Sequence, residues 1–373
     1  MGREYFIKGG IIMKLSRDVL SKSIISYAEV KVERNKVPII VTDPIPYVSK
    51  WDLSLVSEYP APKIKTMCWS PDLKKFCAIS DDTWRDPTNY PVSYLSSDGK
   101  TWTKYDGIHL NNTESFSCIT WSSKLKKFCA IGKQNSKIGL SSNGIDWDIK
   151  TNNLFGTDIY DSIVWSPELE TFCTTSYTDG TTTAFALLSK DGETWTKHSL
   201  PPLGNDERRI ICWSPELGIF CMTSYGGFLT SSDGKNWEAH PVQFGPYGAS
   251  ISLDWSPDLG IFCGVQYGEK NVWTSPDGIT WTRHSFPAEI EVTGVTWSPI
   301  LKIFLVCGYQ TYNSMYASKD GINWTELWDL ENIPIGYRSV SMIWSNDLGI
   351  YCLPIVDENS GSQNIITSVP TVA

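Results

Sequence analysis

The sequence predicts an all-β protein, a seven-bladed β-propeller of four-stranded antiparallel blades. Three observations carry that prediction: a tryptophan–aromatic pair recurring seven times, a tight turn recurring six times, and an orphan strand near the N-terminus. The tryptophans Trp69, Trp121, Trp165, Trp213, Trp255, Trp297 and Trp344 each end a short apolar run. Seven residues later come Phe76, Phe128, Phe172, Phe220, Phe262, Phe304 and Tyr351. Successive tryptophans are 52, 44, 48, 42, 42 and 47 residues apart. Self-similarity at that period marks a repeat whose units bury their apolar faces against one another.

The fourth unit shows how one repeat reads as strands. Arg209–Trp213 is a β-prone run, and Ser214-Pro-Glu-Leu-Gly218 supplies turn residues. Ile219–Tyr225 is a second strand, broken by Gly226-Gly227 before a third begins at Phe228. Ser231–Trp237 turns the chain into a fourth strand carrying Glu238-Ala-His240. Four short antiparallel strands in about 45 residues make one propeller blade.

The second turn has the form Ser-x-Asp-Gly-x-x-Trp and recurs at Ser96–Trp102, Ser189–Trp195, Ser231–Trp237, Ser275–Trp281 and Ser318–Trp324. Ser141–Trp147 carries Asn143 in place of the acid. These turns resemble a shortened Asp-box, the bacterial-neuraminidase repeat of sialidase-like propellers, with one residue fewer between Asp and Gly. The resemblance covers roughly residues 50–373 and implies a structural role for Asp98, Asn143, Asp191, Asp233, Asp277 and Asp320. It implies a fold and no single activity, because enzymes, lectins and assembly factors share such boxes.

Closure follows from counting strands. The seventh unit ends after Asn364–Ser368 without a box tryptophan, while Trp51 lies 18 residues before Trp69, the separation of Trp237 from Trp255. The Trp51 segment is therefore expected to pair with Asn364–Ser368 as the outermost strand of the last blade. That arrangement makes 49–373 the propeller and 1–48 an N-terminal arm. Within the arm, Leu15–Val32 suits a short helix and Pro38–Pro46 an extended stretch.

Composition narrows the function. The 373 residues carry a net charge of −9 with no Lys/Arg block, which argues against nucleic acid or an anionic membrane as the main partner. No run of 18 apolar residues suits membrane insertion, and the first residues lack the apolar stretch of a cleaved signal. Six of ten cysteines directly follow the repeat ring. The register places Cys68 opposite Cys77 and Cys212 opposite Cys221, while other blades put Thr120, Val164, Asp254 and Ile343 opposite a lone cysteine. Cysteine thus reads as a small buried hydrophobe in a reducing compartment, the cytoplasm or a virion.

The first–second and third–fourth turns share one face of the ring and are uniform. The opposite face carries connections of variable length, including Ser80–Tyr94, His198–Arg208 and His284–Val292, and such loops are where binding concentrates. Tyr177, Tyr225, Tyr267 and Tyr309 each end a second strand there, five residues after the ring. They read either as an arc for stacking a sugar or peptide, or as caps against the next blade. Trp84, Arg85, Arg208, Arg209 and Arg338 are further loop candidates.

The sialidase-like resemblance implies three arginines around a substrate carboxylate, one in an Arg-Ile-Pro-like element. The eight arginines are Arg3, Arg17, Arg34, Arg85, Arg208, Arg209, Arg283 and Arg338, and none has that context. Three converging guanidinium forks are not evident, so sialidase activity is not expected. His198, His240 and His284 fall on separate outer strands, and no CxxC or HExxH spacing occurs, so neither a metal nor a cofactor is expected. Asp254 is the one acid at its inner-strand position. The sequence therefore predicts a non-catalytic binding or assembly module for a protein or glycan. Similar degenerate propellers of viral and phage-type proteins imply a virion or receptor-binding setting. The alternative is a lectin or a divergent glycoside hydrolase.

Overall fold

The structure, a computed structural model, describes residues 4–7, 11–14, 51–55, 64–80, 90–111, 114–132, 135–156, 158–177, 184–203, 209–244, 251–266, 269–309, 315–327, 337–339, 342–357 and 363–368. The chain divides into two compact units, Met1–Ile45 and Pro46–Ala373. In the first, Glu4–Ile7 pairs antiparallel with Ile11–Lys14, from Glu4↔Lys14 to Ile7↔Ile11. Two β-prone runs around Gly9-Gly10 are a hairpin signal that the repeat-based reading passed over. The expected Leu15–Val32 helix and extended Pro38–Pro46 stretch lie outside the described residues.

The second unit is a seven-bladed β-propeller. Blade one runs Ile64–Ser70, Lys75–Ser80, Ser93–Ser96, Thr103–Tyr105, each strand antiparallel to the last. Blades two to four repeat the plan from Phe116, Ile159 and Ile211. In all seven blades the tryptophan pairs in register with the ring seven residues on. Their centroids lie 4.6–4.8 Å apart. Six of the rings are phenylalanines with no exposed area, so each anchors a blade core of side chains from two adjoining blades.

Closure follows the expected pairing. The C-terminal chain supplies the first three strands of blade seven, and Trp51–Leu55 adds the fourth, with Trp51↔Ser368 and Leu55↔Asn364. One connection differs from expectation. The loop expected at His284–Val292 belongs to a single strand, Thr282–Ser298, which ends blade five and begins blade six. Ile290 pairs with Glu269 and Glu291 with Tyr309, so extended ends of the neighbouring strands hold the segment in the ladder.

The serine–aspartate turns share one wiring scheme. In the Ser231 turn the serine Oγ accepts from Gly234 N at 2.8 Å, and Asp233 Oδ1 accepts from Lys235 N and Asn236 N, both at 2.8 Å. Trp237 Nε1 closes the loop on Gly234 O at 2.8 Å. Burial raises the Asp233 carboxyl, but these backbone donors outweigh it and hold the group at about 2. Asn143 keeps the scheme without charge, accepting from Ile145 N and Asp146 N and donating to Asp146. Each turn glycine has φ of +72° to +79° and sits against the preceding blade, Gly144 on Leu95 and Gly192 on Leu140.

A second device links neighbouring blades. The third residue of the first–second turn in one blade accepts from the first-strand tryptophan of the next. The pairs are Trp121 Nε1 to Asp72 (2.8 Å), Trp213 to Glu168 (2.6 Å), Trp255 to Glu216 (2.7 Å) and Trp297 to Asp258 (3.1 Å). Trp69 donates to Asp347 at 3.0 Å, which carries the same contact across the closure of the ring. Where the acid is missing, the bond is missing. Blade two has Lys124 there, and Trp165 Nε1 is buried without a hydrogen-bond partner among the described residues. Blade six has Ile300, and Trp344 turns to Asn346 of its own turn.

The same turn position also meets the residue two further on in the next blade. Asp72 pairs with Lys126 and Asp258 with Lys302, and the charges reverse between Lys124 and Glu170. Restoring the common polarity with Lys124→Glu and Glu170→Lys together keeps the ion pair and supplies Trp165 with an acceptor. Urea unfolding is expected to show a gain of about 1 kcal/mol. No gain would mean that the tryptophan contact is incidental.

Candidate functional site

The face opposite these turns carries connections that vary widely. Twelve residues separate the second and third strands of blade one, between Ser80 and Ser93. Two residues, Tyr225 and Gly226, separate them in blade four. The short turn is firmly held: Gly226 N donates to Leu203 O at 2.8 Å, and Val242 N to Gly226 O at 3.0 Å. Gly227 begins the next strand at φ +150°, where a Cβ would meet His240 O at 2.3 Å. On this turn Tyr225 is 39% exposed.

Tyr177 ends the second strand of blade three, half-buried, opposite Ile159 and Ala184. Tyr309 ends its strand opposite Glu291, and Tyr267 lies outside the described residues. So do Trp84, Arg85 and Arg208. Arg338 lies in the first strand of blade seven, opposite Val356. Arg209 is 1% exposed, with Nη1 3.8 Å from Met222 Sδ. Its side chain is thus packed inside blade four instead of standing on the loop surface.

The inner strands are bridged from blade to blade by side chains. Ser162 Oγ lies 3.4 Å from Ile211 N and O, Ser252 Oγ accepts from Val295 N at 2.9 Å, and Thr296 Oγ1 donates to Met342 O at 3.2 Å. Asp254 does this with two oxygens: Oδ1 accepts from Trp255 N and Oδ2 from Trp297 N, each at 2.8 Å. Half-buried desolvation outweighs both donors and raises its carboxyl to about 6. Asp254 is therefore a bracket between blades five and six.

A raised native pKa means that the folded state holds the proton more tightly than the unfolded chain. The extra stability is complete below about 4, the unfolded value, and is lost as pH rises through about 6. Comparing stability against pH for wild type and Asp254→Asn, the difference between the curves is expected to change by about 2 kcal/mol between those limits. A flat difference would contradict a raised Asp254 pKa.

The remaining polar side chains are largely bound to the scaffold. His198 Nε2 lies 3.0 Å from Thr196 Oγ1, His240 Nε2 2.7 Å from Thr230 Oγ1, and His284 Nε2 2.8 Å from Thr274 Oγ1. Arg283 Nε donates to Asn271 at 2.9 Å. Among the described residues no three His, Cys, Asp or Glu side chains form a metal-holding group. All ten cysteines are buried free thiols, and burial, reinforced by Asp161, pushes Cys118 up to about 12. A cleft of about 460 Å³ opens on the turn side between blades three and four, beside Asp191 and Asp233. Both carboxylates there already hold turn backbone.

Solved structures with the same architecture agree with the ring. A streptogramin B lyase aligns with a TM-score of 0.66 at 10% identity, covering 85% of this chain and 96% of that one. Virginiamycin B lyase from Staphylococcus aureus gives 0.63 at 10% identity, over 86% and 99%. YCF48 from Cyanidioschyzon merolae gives 0.60 at 13%, over 86% and 98%. At these identities the likeness is one of fold. No protein-family model and no curated protein sequence matches the chain.

Residues that sequence reasoning missed are the clasp acids Asp72, Glu168, Glu216, Asp258 and Asp347. Their signal was present, an acid at the third turn position in five of seven units. Among the described residues no helix is long and apolar enough to cross a membrane.

Proposed function

We propose that the chain is a non-catalytic binding or assembly module that takes a protein or glycan ligand on its variable face. The observation that carries this reading is Tyr225, an exposed ring on a two-residue turn fixed by backbone hydrogen bonds. A rigid aromatic with a polar tip binds at low entropic cost. By contrast the acids of the repeated turns are already held by turn backbone. We also assign the turns to the Asp-box plan of sialidase-like propellers, which the shared serine–aspartate wiring supports. Buried thiols with raised pKa values suit a reducing compartment or the interior of a virion.

A glycan array, run beside a pull-down with full-length and 1–48-deleted protein, tests the reading. Tyr225→Ala is expected to weaken ligand binding at least about tenfold while changing stability by less than about 0.5 kcal/mol. Sugar binding that needs Tyr225 favours a lectin. A silent array with arm-dependent protein capture favours assembly. Turnover of an arrayed glycoside by the wild type would overturn the non-catalytic reading.

A further inference from the structure

Cations on the fourth strands meet different fates in different blades. Lys104, Lys197 and Arg283 occupy one register position, paired with Tyr94, Leu187 and Trp273 of the third strand. Lys104 lies 3.6 Å from Asp106, and Lys197 lies 3.2 Å from Asp158. Arg283 is exposed and has no acidic partner among the described residues. Its Nε donates to Asn271 Oδ1 at 2.9 Å, and among those residues its two Nη groups make no hydrogen bond.

The anchor beneath Arg283 is a buried relay. Gln266 has no exposed area and Asn271 only 4%. Gln266 Oε1 accepts from Trp273 Nε1 at 3.4 Å and from Asn271 Nδ2 at 3.1 Å. An indole can only donate, and so can a guanidinium. The relay therefore has one polarity: Trp273 fixes the Gln266 oxygen, which draws the Asn271 nitrogen and turns the Asn271 oxygen to Arg283. A buried network satisfied in this way is rigid. Asn271 lies two residues from Trp273 toward the variable face, so the Arg283 side chain is drawn that way. The Gln266 position holds serine in blades one, three and four and glycine in blades two and six, so the relay belongs to blade five.

We propose that Arg283 is a binding residue for a carboxylate, the group an acidic protein segment presents, on the outer strand of blade five. A guanidinium held through Nε leaves its two Nη groups side by side, the fork that takes both oxygens of a carboxylate. Because the relay already fixes the fork, little rotamer freedom is lost on binding. One fork matches one negative charge, and the net charge of −9 disfavours a dianion such as phosphate. The site lies on a different blade from Tyr225 and does not depend on that ring.

Acetate is the probe. Nuclear magnetic resonance of the full chain, isotope-labelled at arginine, follows its titration with chloride holding the ionic strength constant. Arg283→Lys assigns the Arg283 Nε–H signal by removing it. That signal is expected to shift saturably with acetate, half-saturating below about 100 mM, the range of one charge-assisted contact. Chloride alone leaves it in place. Asn271→Ala keeps Arg283 but removes its anchor, and is expected to raise the acetate dissociation constant at least about threefold. If that variant fails to fold, Gln266→Ser, which installs the residue of three other blades, must show the same weakening. No saturable acetate shift in the wild type, saturation by inorganic phosphate alone, or unchanged affinity in the folded relay variant overturns the proposal.

Discussion

Removal of residues 1–56 is expected to unfold or aggregate the propeller, whereas removal of 1–45 leaves its thermal midpoint close to that of the full chain. The two truncations differ chiefly in Trp51–Leu55, whose five register pairs run along Asn364–Ser368. Without that strand the backbone of Gln363–Ser368 becomes an open edge. Ile365 and Ile366, which have no exposed area, lie in the strand left at that edge. Unpairing the strand and loosening two buried isoleucines costs about 5 kcal/mol, the scale of a domain's entire stability. The shorter truncation ends at the boundary between the compact units and leaves the ladder intact. Calorimetry of both, with light scattering during heating, separates the outcomes. Equal midpoints would show that closure does not stabilise the ring.

Gly227→Ala is the single substitution expected to cost most, about 4 kcal/mol. Its φ of +150° suits glycine, and an added Cβ would meet backbone atoms: His240 O at 2.3 Å, Pro241 Cα and Val242 N at 2.9 Å. Relief requires the fourth strand of blade four to move away, which breaks the Val242–Gly226 bond and frees the turn bearing Tyr225. Gly260→Ala provides the comparison. That glycine has φ +63° with nothing within 4 Å of a Cβ, so only backbone strain of about 1 kcal/mol is expected. The same position holds Lys74, Lys126, Glu170 and Lys302 in other blades at φ of +51° to +54°. Chemical denaturation of the two variants gives the difference directly. Binding by the Gly227 variant is expected to fall further than its residual folded fraction explains.

The ring was legible in the sequence because the residues that build it recur. Trp69 and Phe76 sit opposite one another in an antiparallel pair, so a spacing of seven fixed the turn length and the register of every first–second hairpin. Trp51 was legible as a closing strand by its distance from Trp69. The segment 284–292 was misjudged as a loop because Pro287 and the charged Glu289 and Glu291 obscure a strand whose ladder depends on the extended ends at Glu269 and Tyr309. The variable face resisted for a different reason. Tyr225 and Tyr177 share a sequence position, yet one is exposed and the other half-buried. Arg209 looked like a loop cation, but it precedes the inner strand of blade four and packs beside Met222. Burial at those positions depends on the neighbouring blade, which a local pattern does not encode.

Hydrogen exchange of the Trp51–Leu55 segment tests closure most directly. Amides of Trp51–Leu55 paired to the C-terminal strand are expected to exchange only through global unfolding, as slowly as those of Asn364–Ser368. Exchange of Trp51–Leu55 within seconds, at the rate of an unstructured tail, would contradict a ring closed by its N-terminal strand.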